Sequence, residues 1–257
     1  MTSLKDRIVL ITGASSGIGA ACAHAFAQLG SRLIISARRK ERIEALVREI
    51  KEKHKTDVLG VQLDVQKQPD VESAFSTLPK EWQEIEVLVN NAGLSRGLDK
   101  LHEGKIADWE EMIDTNIKGL LYVSRAVIPG MVARGHGTVI NIGSIAGQEV
   151  YPGGNVYCAT KHAVDAITRG LRFDLVDSPV RVCTVDPGLV QTEFSIVRFR
   201  GDSERAESVY KKIQALKPED VAEAVVFCAT RPPHVQLAQV LILPTAQAST
   251  TLVHRKP

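Results

Sequence analysis

Cysteine and net charge are both scarce in this sequence of 257 residues. Its four cysteines are widely separated and match no zinc or redox spacing, so we expect them to be reduced, the protein to be cytoplasmic and no metal to be bound. The formal net charge is only +2. Nucleic acids and acidic membranes attract proteins with concentrated positive charge, and we therefore expect neither as a partner.

Long apolar runs, repeats and low-complexity tracts are also absent. No stretch of about 18 apolar residues occurs, so no segment is expected to span a membrane. The first residues carry Lys5, Asp6 and Arg7 where a signal peptide needs an apolar stretch. Because no linker or fixed-period repeat divides the chain, we expect a single domain over residues 1–257.

Short apolar segments alternate with longer amphipathic ones. Strands of four to six residues without polar alternation are typical of a parallel sheet buried on both faces. The sequence therefore predicts an α/β fold, a Rossmann-type doubly wound parallel sheet of about seven strands with helices on both faces. The predicted strands are Arg7–Thr12, Arg32–Ser36, Val58–Leu63, Val87–Asn90, Thr138–Ile142, Arg181–Val185 and Gln239–Leu243. The predicted helices begin near Gly17, Lys40, Pro69, Ile106, Asn155 and Pro218.

One segment interrupts this alternation, between the sixth predicted strand and the last predicted helix. It covers about residues 188–216, and its pattern indicates a loop with short helices. Because a loop of this length inside a domain is usually functional, we predict that it is a substrate lid.

The first predicted strand ends in a glycine-rich turn that opens into a helix. Gly13 permits the tight turn, Gly17 lets the backbone approach a pyrophosphate, and Gly19 permits close packing of helix against strand. The phosphates would then meet free N–H groups at the helix N-terminus. The turn predicts a dinucleotide site made of Gly13, Ser15, Ser16, Gly17, Ile18 and Gly19.

Two arginines stand where a dinucleotide fold that prefers NAD would carry an acid for the ribose 2′-hydroxyl. The second predicted strand is followed by Arg38 and Arg39, with no acid before Glu41. Together with the Ser15 hydroxyl, these guanidinium groups could bind a 2′-phosphate through charge-assisted hydrogen bonds. We therefore predict NADP rather than NAD, although the arginines could also simply begin a solvated helix.

A tyrosine, a lysine and a serine have the spacing of a proton-transfer site. Tyr157 and Lys161 are four residues apart and share one face of a predicted helix. Ser144 follows the fifth predicted strand, at the sheet edge where ligands bind. We expect the Lys161 ammonium to lower the pKa of Tyr157 so that it acts as the acid/base of a hydride transfer, with Ser144 polarising the carbonyl oxygen. A Tyr-x-x-x-Lys pair alone is common on helix surfaces, so the prediction depends on all three features together.

Together these motifs resemble the short-chain dehydrogenase/reductase family. The matching positions also include the Asn-Asn-Ala-Gly run that begins at Asn90, the helix residue Asn116 and the Pro-Gly pair at Pro187, in the expected order over residues 7 to 192. The resemblance implies an enzyme that is usually a homotetramer, built through the helices that follow Ile106 and Asn155.

The resemblance also implies a role for each matching residue. Ser144 positions the substrate oxygen, Tyr157 is the acid/base, and Lys161 also binds the nicotinamide ribose. Asn116 kinks its helix and holds a water that relays protons. Further cofactor contacts are implied for Asp64, Val65, Asn91, Ala92, Gly93, Pro187, Gly188, Val190 and Thr192.

A narrower resemblance concerns the segments 114–120, 153–157, 197–202 and 243–249. They are similar to the NADP-dependent 3-hydroxy acid dehydrogenases, which oxidise L-serine or L-allo-threonine and reduce malonic semialdehyde. The resemblance implies a short 3-hydroxy acid as the small-molecule substrate. Two alternatives remain: a reductase for larger ketones, acyl chains or steroids, and a nucleotide-binding regulator without turnover. Retention of all four catalytic residues argues against the regulator.

A 3-hydroxy acid needs a group that holds its carboxylate. Arg198 and Arg200 lie on the predicted lid, and an arginine fork suits a carboxylate. We therefore propose them as substrate-binding residues. Both could equally face solvent or bind a cofactor phosphate.

Overall fold

Seven strands form one sheet in the computed structural model, which describes residues 2–256. The strand order is β3-β2-β1-β4-β5-β6-β7, and all neighbouring pairs are parallel. The predicted Rossmann-type α/β fold is confirmed. The strands are β1 (Ile8–Thr12), β2 (Arg32–Ala37), β3 (Val58–Gln62), β4 (Ile85–Asn90), β5 (Gly137–Ile142), β6 (Val180–Pro187) and β7 (Gln239–Ile242).

Burial explains why the central strands read as continuous apolar runs. Every residue of β1 and β5 is buried, as expected for parallel strands covered on both faces. Two boundaries differ from the predictions by two residues, and the others agree within one residue. β4 begins at Ile85 rather than Val87, because Glu86 interrupts an otherwise apolar run, and β6 ends at Pro187 rather than Val185.

Helices cover both faces of the sheet. On one face, apolar side chains of α1, α2 and α9 pack in one core cluster with β1 and β2. On the other, apolar side chains of α3 and α5 form a second cluster with β4. The helices are α1 (Gly17–Gln28), α2 (Lys40–His54), α3 (Gln68–Ser76), α4 (Ile106–Ile113), α5 (Leu120–Arg134), α6 (Asn155–Asp174), α7 (Phe194–Arg198), α8 (Ser203–Ser208) and α9 (Pro218–Ala229). Among the described residues, no helix combines the length and the apolar character that crossing a membrane requires.

A π-helical turn, Asp114–Gly119, joins α4 to α5. The sequence predicts one helix from near Ile106, whereas the structure has an interrupted one, and Asn116 lies within the interruption. Such π-bulges occur frequently at functional sites. The chain also passes close to the loop after β3 here, because a Cβ on Gly119 would lie 2.6 Å from Val65 Cγ2.

The segment predicted as a lid contains two short helices, α7 and α8, joined by loops. Two backbone hydrogen bonds join its first part to the segment that precedes α9. Gln191 N–H donates to the Leu216 carbonyl at 2.8 Å, and Leu216 N–H donates to the Leu189 carbonyl at 2.9 Å. Its residues lie at the carboxyl ends of the strands, and we call this segment the lid after its predicted role. The order reverses between β1 and β4, and ligands of doubly wound sheets bind at such a switch point.

Candidate active site

A cleft of about 1020 Å³ opens at the carboxyl ends of the strands. It collects residues from the loops after all seven strands, the loop after β6 being the lid, and these residues are far apart in the sequence. Only Gly19 and Asn116, of all the predicted site residues, are absent from its lining. The predicted residues that line it are Gly13, Ser15, Ser16, Gly17, Ile18, Arg38, Arg39, Asp64, Val65, Asn91, Ala92, Gly93, Ser144, Tyr157, Lys161, Pro187, Gly188, Val190, Thr192, Arg198 and Arg200.

The glycine loop has the geometry that its sequence predicts. Gly13 has φ +65°, and a Cβ there would lie 2.8 Å from the Ala92 Cα, so the turn requires glycine. A Cβ on Gly19 would lie 2.5 Å from Asn91 Nδ2, which explains its absence from the cleft: it brings α1 against the end of β4. Asn91 Nδ2 donates to the carbonyls of Thr12 and Gly13, at 2.9 and 3.1 Å, and so fixes the loop.

The two arginines after β2 differ in their surroundings. Arg39 bends back over the glycine loop, where Nη2 donates to the hydroxyls of Ser15 at 2.9 Å and Ser16 at 2.8 Å. Arg38 is half exposed, and its Nη1 lies 3.7 Å from Glu111 Oε1. Arg39 therefore does more than begin a solvated helix, and it is the stronger candidate for a 2′-phosphate contact.

Ser144, Tyr157 and Lys161 are all buried at the base of the cleft. Lys161 Nζ donates to the Ile142 carbonyl at 2.9 Å, which holds it against the end of β5. Ser144 Oγ accepts a hydrogen bond from Ala146 N–H at 3.1 Å. The Tyr157 ring packs against the lid ring of Phe194, with centroids 5.7 Å apart. The structure thus brings the three predicted side chains to one place.

Burial changes the titration of both ionisable members. It raises the pKa of Tyr157, as does nearby Tyr151, while Arg198 and the Ser144 hydroxyl act in the opposite direction. Burial also lowers the pKa of Lys161 to about 8, although the negative charge of Asp186 acts to raise it. The pKa of Tyr157 is therefore raised on balance, because desolvation of the phenolate outweighs the nearby positive charge of Arg198. The lowering of this pKa by Lys161 stays a prediction.

Asn116 supports the site from behind the cleft. Its Oδ1 accepts from Leu94 N–H at 2.9 Å, and its Nδ2 donates to the Leu94 carbonyl at 2.8 Å and to Thr160 Oγ1 at 3.0 Å. The side-chain amide thereby holds the loop after β4 against α6. A Cβ on Gly93 would lie 3.3 Å from Asn116 Oδ1 and 3.6 Å from Lys161 Nζ. Glycine at this position leaves space between the two polar groups.

Arg198 of the lid lies directly beside the predicted acid/base. Its guanidinium carbon is 5.3 Å from the Tyr157 ring centroid, 5.1 Å from that of Phe194 and 5.9 Å from that of Tyr151. Nη2 donates to Tyr151 Oη at 3.0 Å, and Nε donates to Ser95 Oγ at 3.1 Å. Three aromatic rings and two hydroxyl groups thus fix the position of the guanidinium, and none of these neighbours carries a negative charge.

Arg200, the second predicted substrate residue, has a different environment. Its guanidinium pairs with the buried carboxylate of Asp108, and its own side chain is 54% exposed. Asp108 offsets its charge. Arg200 lines the rim of the cleft, but the structure does not bring it into the group around Tyr157, and Arg198 is the better placed of the two.

Several charged residues of the site were not identified from the sequence. Glu111 accepts from Arg96 Nε at 2.6 Å and Nη2 at 2.9 Å, and this pairing is the main reason that the pKa of Glu111 is lowered. Arg96 Nη1 also donates to the Val197 carbonyl, so this ion pair holds the lid residue that precedes Arg198. The sequence carries no signal for these contacts beyond the positions of Arg96 just after the Asn-Asn-Ala-Gly run and Glu111 on α4.

Glu193 is a further missed residue at the start of the lid. Its carboxylate accepts from Arg39 Nη1 at 3.0 Å and from Arg42 Nη1 at 2.7 and 2.8 Å. The hydrogen bond from Arg42 is the main cause of its lowered pKa. These contacts join the lid to the beginning of α2 across the glycine loop. Its neighbour Thr192 was the only signal in the sequence that this position faces the cleft.

Known proteins are similar to this chain over nearly its whole length. A short chain dehydrogenase family model matches residues 7–224. The NADP-dependent 3-hydroxy acid dehydrogenase YdfG of Salmonella typhi is 49% identical over 250 residues, which cover 96% of this chain and 99% of that protein. The NADP-dependent 3-hydroxy acid dehydrogenase of Schizosaccharomyces pombe is 43% identical over 257 residues, covering 100% and 99%. The solved closed form of serine dehydrogenase complexed with NADP+ superposes with a TM-score of 0.91 at 47% identity, covering 97% of this chain and 100% of that one.

Proposed function

The chain belongs to the short-chain dehydrogenase family, and on that premise we propose that it interconverts a short 3-hydroxy acid and the corresponding carbonyl compound. It is an NADP-dependent oxidoreductase, consistent with the names of its relatives and with the NADP+ complex of its structural neighbour. The substrates that we propose are L-serine, L-allo-threonine and 3-hydroxypropionate, with malonic semialdehyde as the carbonyl form of the last. The observation that carries the proposal is the position of Arg198 beside Tyr157.

The residues of the cleft fit a dinucleotide phosphate. Gly13 and Gly17, both at positive φ, keep the loop free of side chains where it opens into α1, and the first N–H groups of that helix suit a pyrophosphate. Arg39, Arg38 and Ser15 would hold the 2′-phosphate. Asp64 and Val65 would flank the adenine, and the segment from Pro187 to Thr192 would contact the nicotinamide. When bound, NADP(H) supplies the hydride acceptor or donor of the reaction.

Tyr157, Ser144 and Lys161 would perform the proton chemistry. In the oxidation direction, Tyr157 Oη takes the proton of the substrate hydroxyl as the C–H bond breaks, and in reduction it returns that proton. Ser144 Oγ holds the same substrate oxygen with a hydrogen bond. Burial disfavours the charged phenolate of Tyr157, and the positive charge of Lys161 would stabilise it.

The space at Gly93 suits a route for this proton to solvent. Asn116 Oδ1 and Lys161 Nζ both face the position that a Gly93 side chain would occupy. A water in that space could bond to both polar groups, provided that it also finds the further polar partners that a buried water needs. We propose Asn116 and Lys161 as the first two groups of this relay.

The substrate carboxylate is assigned to Arg198. Its guanidinium is within 5.3 Å of the Tyr157 ring, and a 3-hydroxy acid places its carboxylate only two carbons from the alcohol carbon. An arginine in this partly buried, aromatic setting gains more from an anion than an exposed one does, because solvent screens the charge less. Larger ketones and steroids lack this anion.

A substrate panel tests the proposed function. The purified enzyme is assayed with NADP+ and with NAD+ against L-serine, L-allo-threonine, 3-hydroxypropionate and 3-hydroxyisobutyrate. We expect turnover of these acids with NADP+. Turnover of long-chain or steroid alcohols without turnover of the acids would contradict the proposal.

Arg198→Ala is expected to raise KM for 3-hydroxypropionate by about 10- to 100-fold, since a charge-assisted pair contributes about 1.5–3 kcal/mol. The expected change in kcat is smaller, because the bond to the carboxylate is present in both ground state and transition state. Steady-state kinetics checks the prediction, with Arg205→Ala as the control, since Arg205 lies on the exposed face of the lid. An unchanged KM would show that another residue holds the carboxylate.

Arg39→Ala is expected to lower the preference for NADP+ over NAD+, expressed as the ratio of kcat/KM values, by about 10-fold or more. The expected effect of Arg38→Ala is smaller. Arg38 is half exposed, and the hydrogen bonds from this arginine pair to Ser15 and Ser16 of the glycine loop come from Arg39. Kinetics with both cofactors checks the prediction. If Arg39→Ala leaves the ratio unchanged, the 2′-phosphate binds elsewhere.

A homotetramer and a cytoplasmic location remain part of the proposal. Ile106 on α4 and Leu121 on α5 are 59% and 42% exposed, and Phe173 at the end of α6 is 80% exposed. Apolar exposure on these helices supports the subunit contacts that the family resemblance implies. All four cysteines are buried and free, which suits a reducing compartment.

A further inference from the structure

Glu193 stands where an anion of the cofactor is expected. Its carboxylate lies within 3.0 Å of Arg39 Nη1 and 2.8 Å of Arg42 Nη1. Arg39 is the residue that the proposed function assigns to the 2′-phosphate, and Arg42 is one turn further along α2. A carboxylate between two guanidinium groups makes the kind of contact that a phosphate makes there. The chain therefore supplies an anion of its own to the cation site for the cofactor.

A 2′-phosphate on Arg39 and the Glu193 carboxylate in its present place would repel each other. Both would be anions on the same guanidinium, and like charges that share a site raise each other's energy. The side chains of Glu193, Arg39 and Arg42 are 40–47% exposed. Their ion pairs are therefore weak enough for a phosphate to displace the carboxylate. NAD(H) has only a hydroxyl at this position and brings no competing charge.

Displacement of Glu193 would also act on the lid. Glu193 immediately precedes α7, which carries Phe194 and Arg198 next to Tyr157. Loss of its pairs with Arg39 and Arg42 would remove the bonds that join this part of the lid to the rim of the glycine loop. The substrate-binding part of the lid is held separately, through Arg96 and the Val197 carbonyl.

From these contacts we propose that Glu193 is a specificity-determining residue that occupies the 2′-phosphate site and is displaced by the 2′-phosphate of NADP(H), which frees the start of the lid from α2. The inference rests on the proposed function only in its assignment of Arg39 to the 2′-phosphate. It makes the lid respond to NADP(H) and not to NAD(H). The competition lowers the affinity for NADP(H) below the value that the arginines alone would give.

The binding test uses Glu193→Gln, which keeps the size of the side chain and removes its charge. The probes are 2′,5′-ADP and 5′-AMP, which differ by the 2′-phosphate and involve no substrate. By calorimetry, we expect Glu193→Gln to bind 2′,5′-ADP about three- to tenfold more tightly than the wild type, because two weak ion pairs no longer compete. Binding of 5′-AMP is expected to change by less than about twofold. Glu204→Gln, at an exposed position on α8, removes the same charge from the lid and is expected to change neither value.

The lid is followed by limited trypsin digestion at the exposed pair Lys211 and Lys212. We expect saturating 2′,5′-ADP to accelerate cleavage in the wild type relative to saturating 5′-AMP, and Glu193→Gln to be cleaved quickly with either probe. Equal or weaker binding of 2′,5′-ADP by Glu193→Gln would overturn the proposal, and weaker binding would show that Glu193 closes over the cofactor instead. A wild type without preference for 2′,5′-ADP over 5′-AMP would overturn the assignment of Arg39 as well. The substrate panel tests the reaction independently of both results.

Discussion

Replacing Tyr157 with phenylalanine is expected to lower kcat/KM for 3-hydroxypropionate by about 10²–10⁴-fold, the range that a positioned general acid/base contributes. The substitution removes only the hydroxyl. The ring contact with Phe194 remains, and since Tyr157 is buried in an apolar cluster with Met112 and Cys158, the fold is expected to persist. The dissociation constant for NADPH, measured by fluorescence, is expected to stay within about threefold of the wild type, less than 1 kcal/mol.

Tyr122→Phe is the matched control, because Tyr122 lies on α5 outside the cleft. The pH dependence gives a second signature. Because burial raises the pKa of Tyr157 and oxidation requires its deprotonated form, wild-type kcat/KM for oxidation is expected to rise with pH through the alkaline range. The residual activity of Tyr157→Phe should lack this dependence. Unchanged turnover in the variant would refute the proposed mechanism.

Replacing Lys161 with methionine is expected to abolish most of the activity and at the same time to stabilise the fold. Burial lowers the pKa of this lysine from 10.5 to about 8. At neutral pH the ammonium is charged in both states, but its charge costs more free energy in the folded protein, where it is buried, than in the unfolded chain. The difference corresponds to about 3 kcal/mol. Loss of the bond from Lys161 Nζ to the Ile142 carbonyl offsets about 1 kcal/mol. A net gain of about 2 kcal/mol predicts a rise in Tm of about 5 °C.

The sign of this effect depends on pH in a predictable way. Below about pH 8 both folded and unfolded wild-type chains carry the proton, and the full cost of the buried charge is present. As pH rises from about 8 to 10.5, the folded protein loses the proton first, so the wild type gains stability relative to the variant. The advantage of Lys161→Met should therefore shrink over this interval in denaturant titrations. Lys40→Met, at an exposed position on α2, is the control. A variant less stable than the wild type at pH 7 would contradict the account of Lys161.

Most of the fold follows from the alternation of short buried strands with amphipathic helices. Where a strand is buried on both faces, as β1 and β5 are, apolar runs identify it directly. The prediction fails where a polar residue enters a run, as Glu86 does in β4, or where a local irregularity is set by packing. The π-helical turn at Asp114–Gly119 is such a case: it contains Asn116, whose side chain is hydrogen-bonded to Leu94 in the loop after β4.

The candidate site was predictable where motif residues follow the strand ends, because parallel strands bring all their carboxyl ends to one edge. The ion pairs between Glu193 and α2 were not, since their partners are more than 150 residues apart in the sequence and exposed charges resemble any solvated surface. The raised pKa of Tyr157 could not be predicted for a similar reason. The lid ring of Phe194 and the surrounding apolar cluster bury the phenol, and the degree of burial cannot be read from an i, i+4 spacing.

The central claim is that Arg198 selects substrates whose carboxylate lies two carbons from the alcohol carbon. The most direct test compares NADP+-linked oxidation of 3-hydroxypropionate with that of 1,3-propanediol, which keeps the three-carbon primary alcohol and replaces the carboxylate with a neutral hydroxymethyl group. We expect kcat/KM to be about 10- to 100-fold higher for the acid, the contribution of a charge-assisted pair of about 1.5–3 kcal/mol. Equal values for the two alcohols would contradict it.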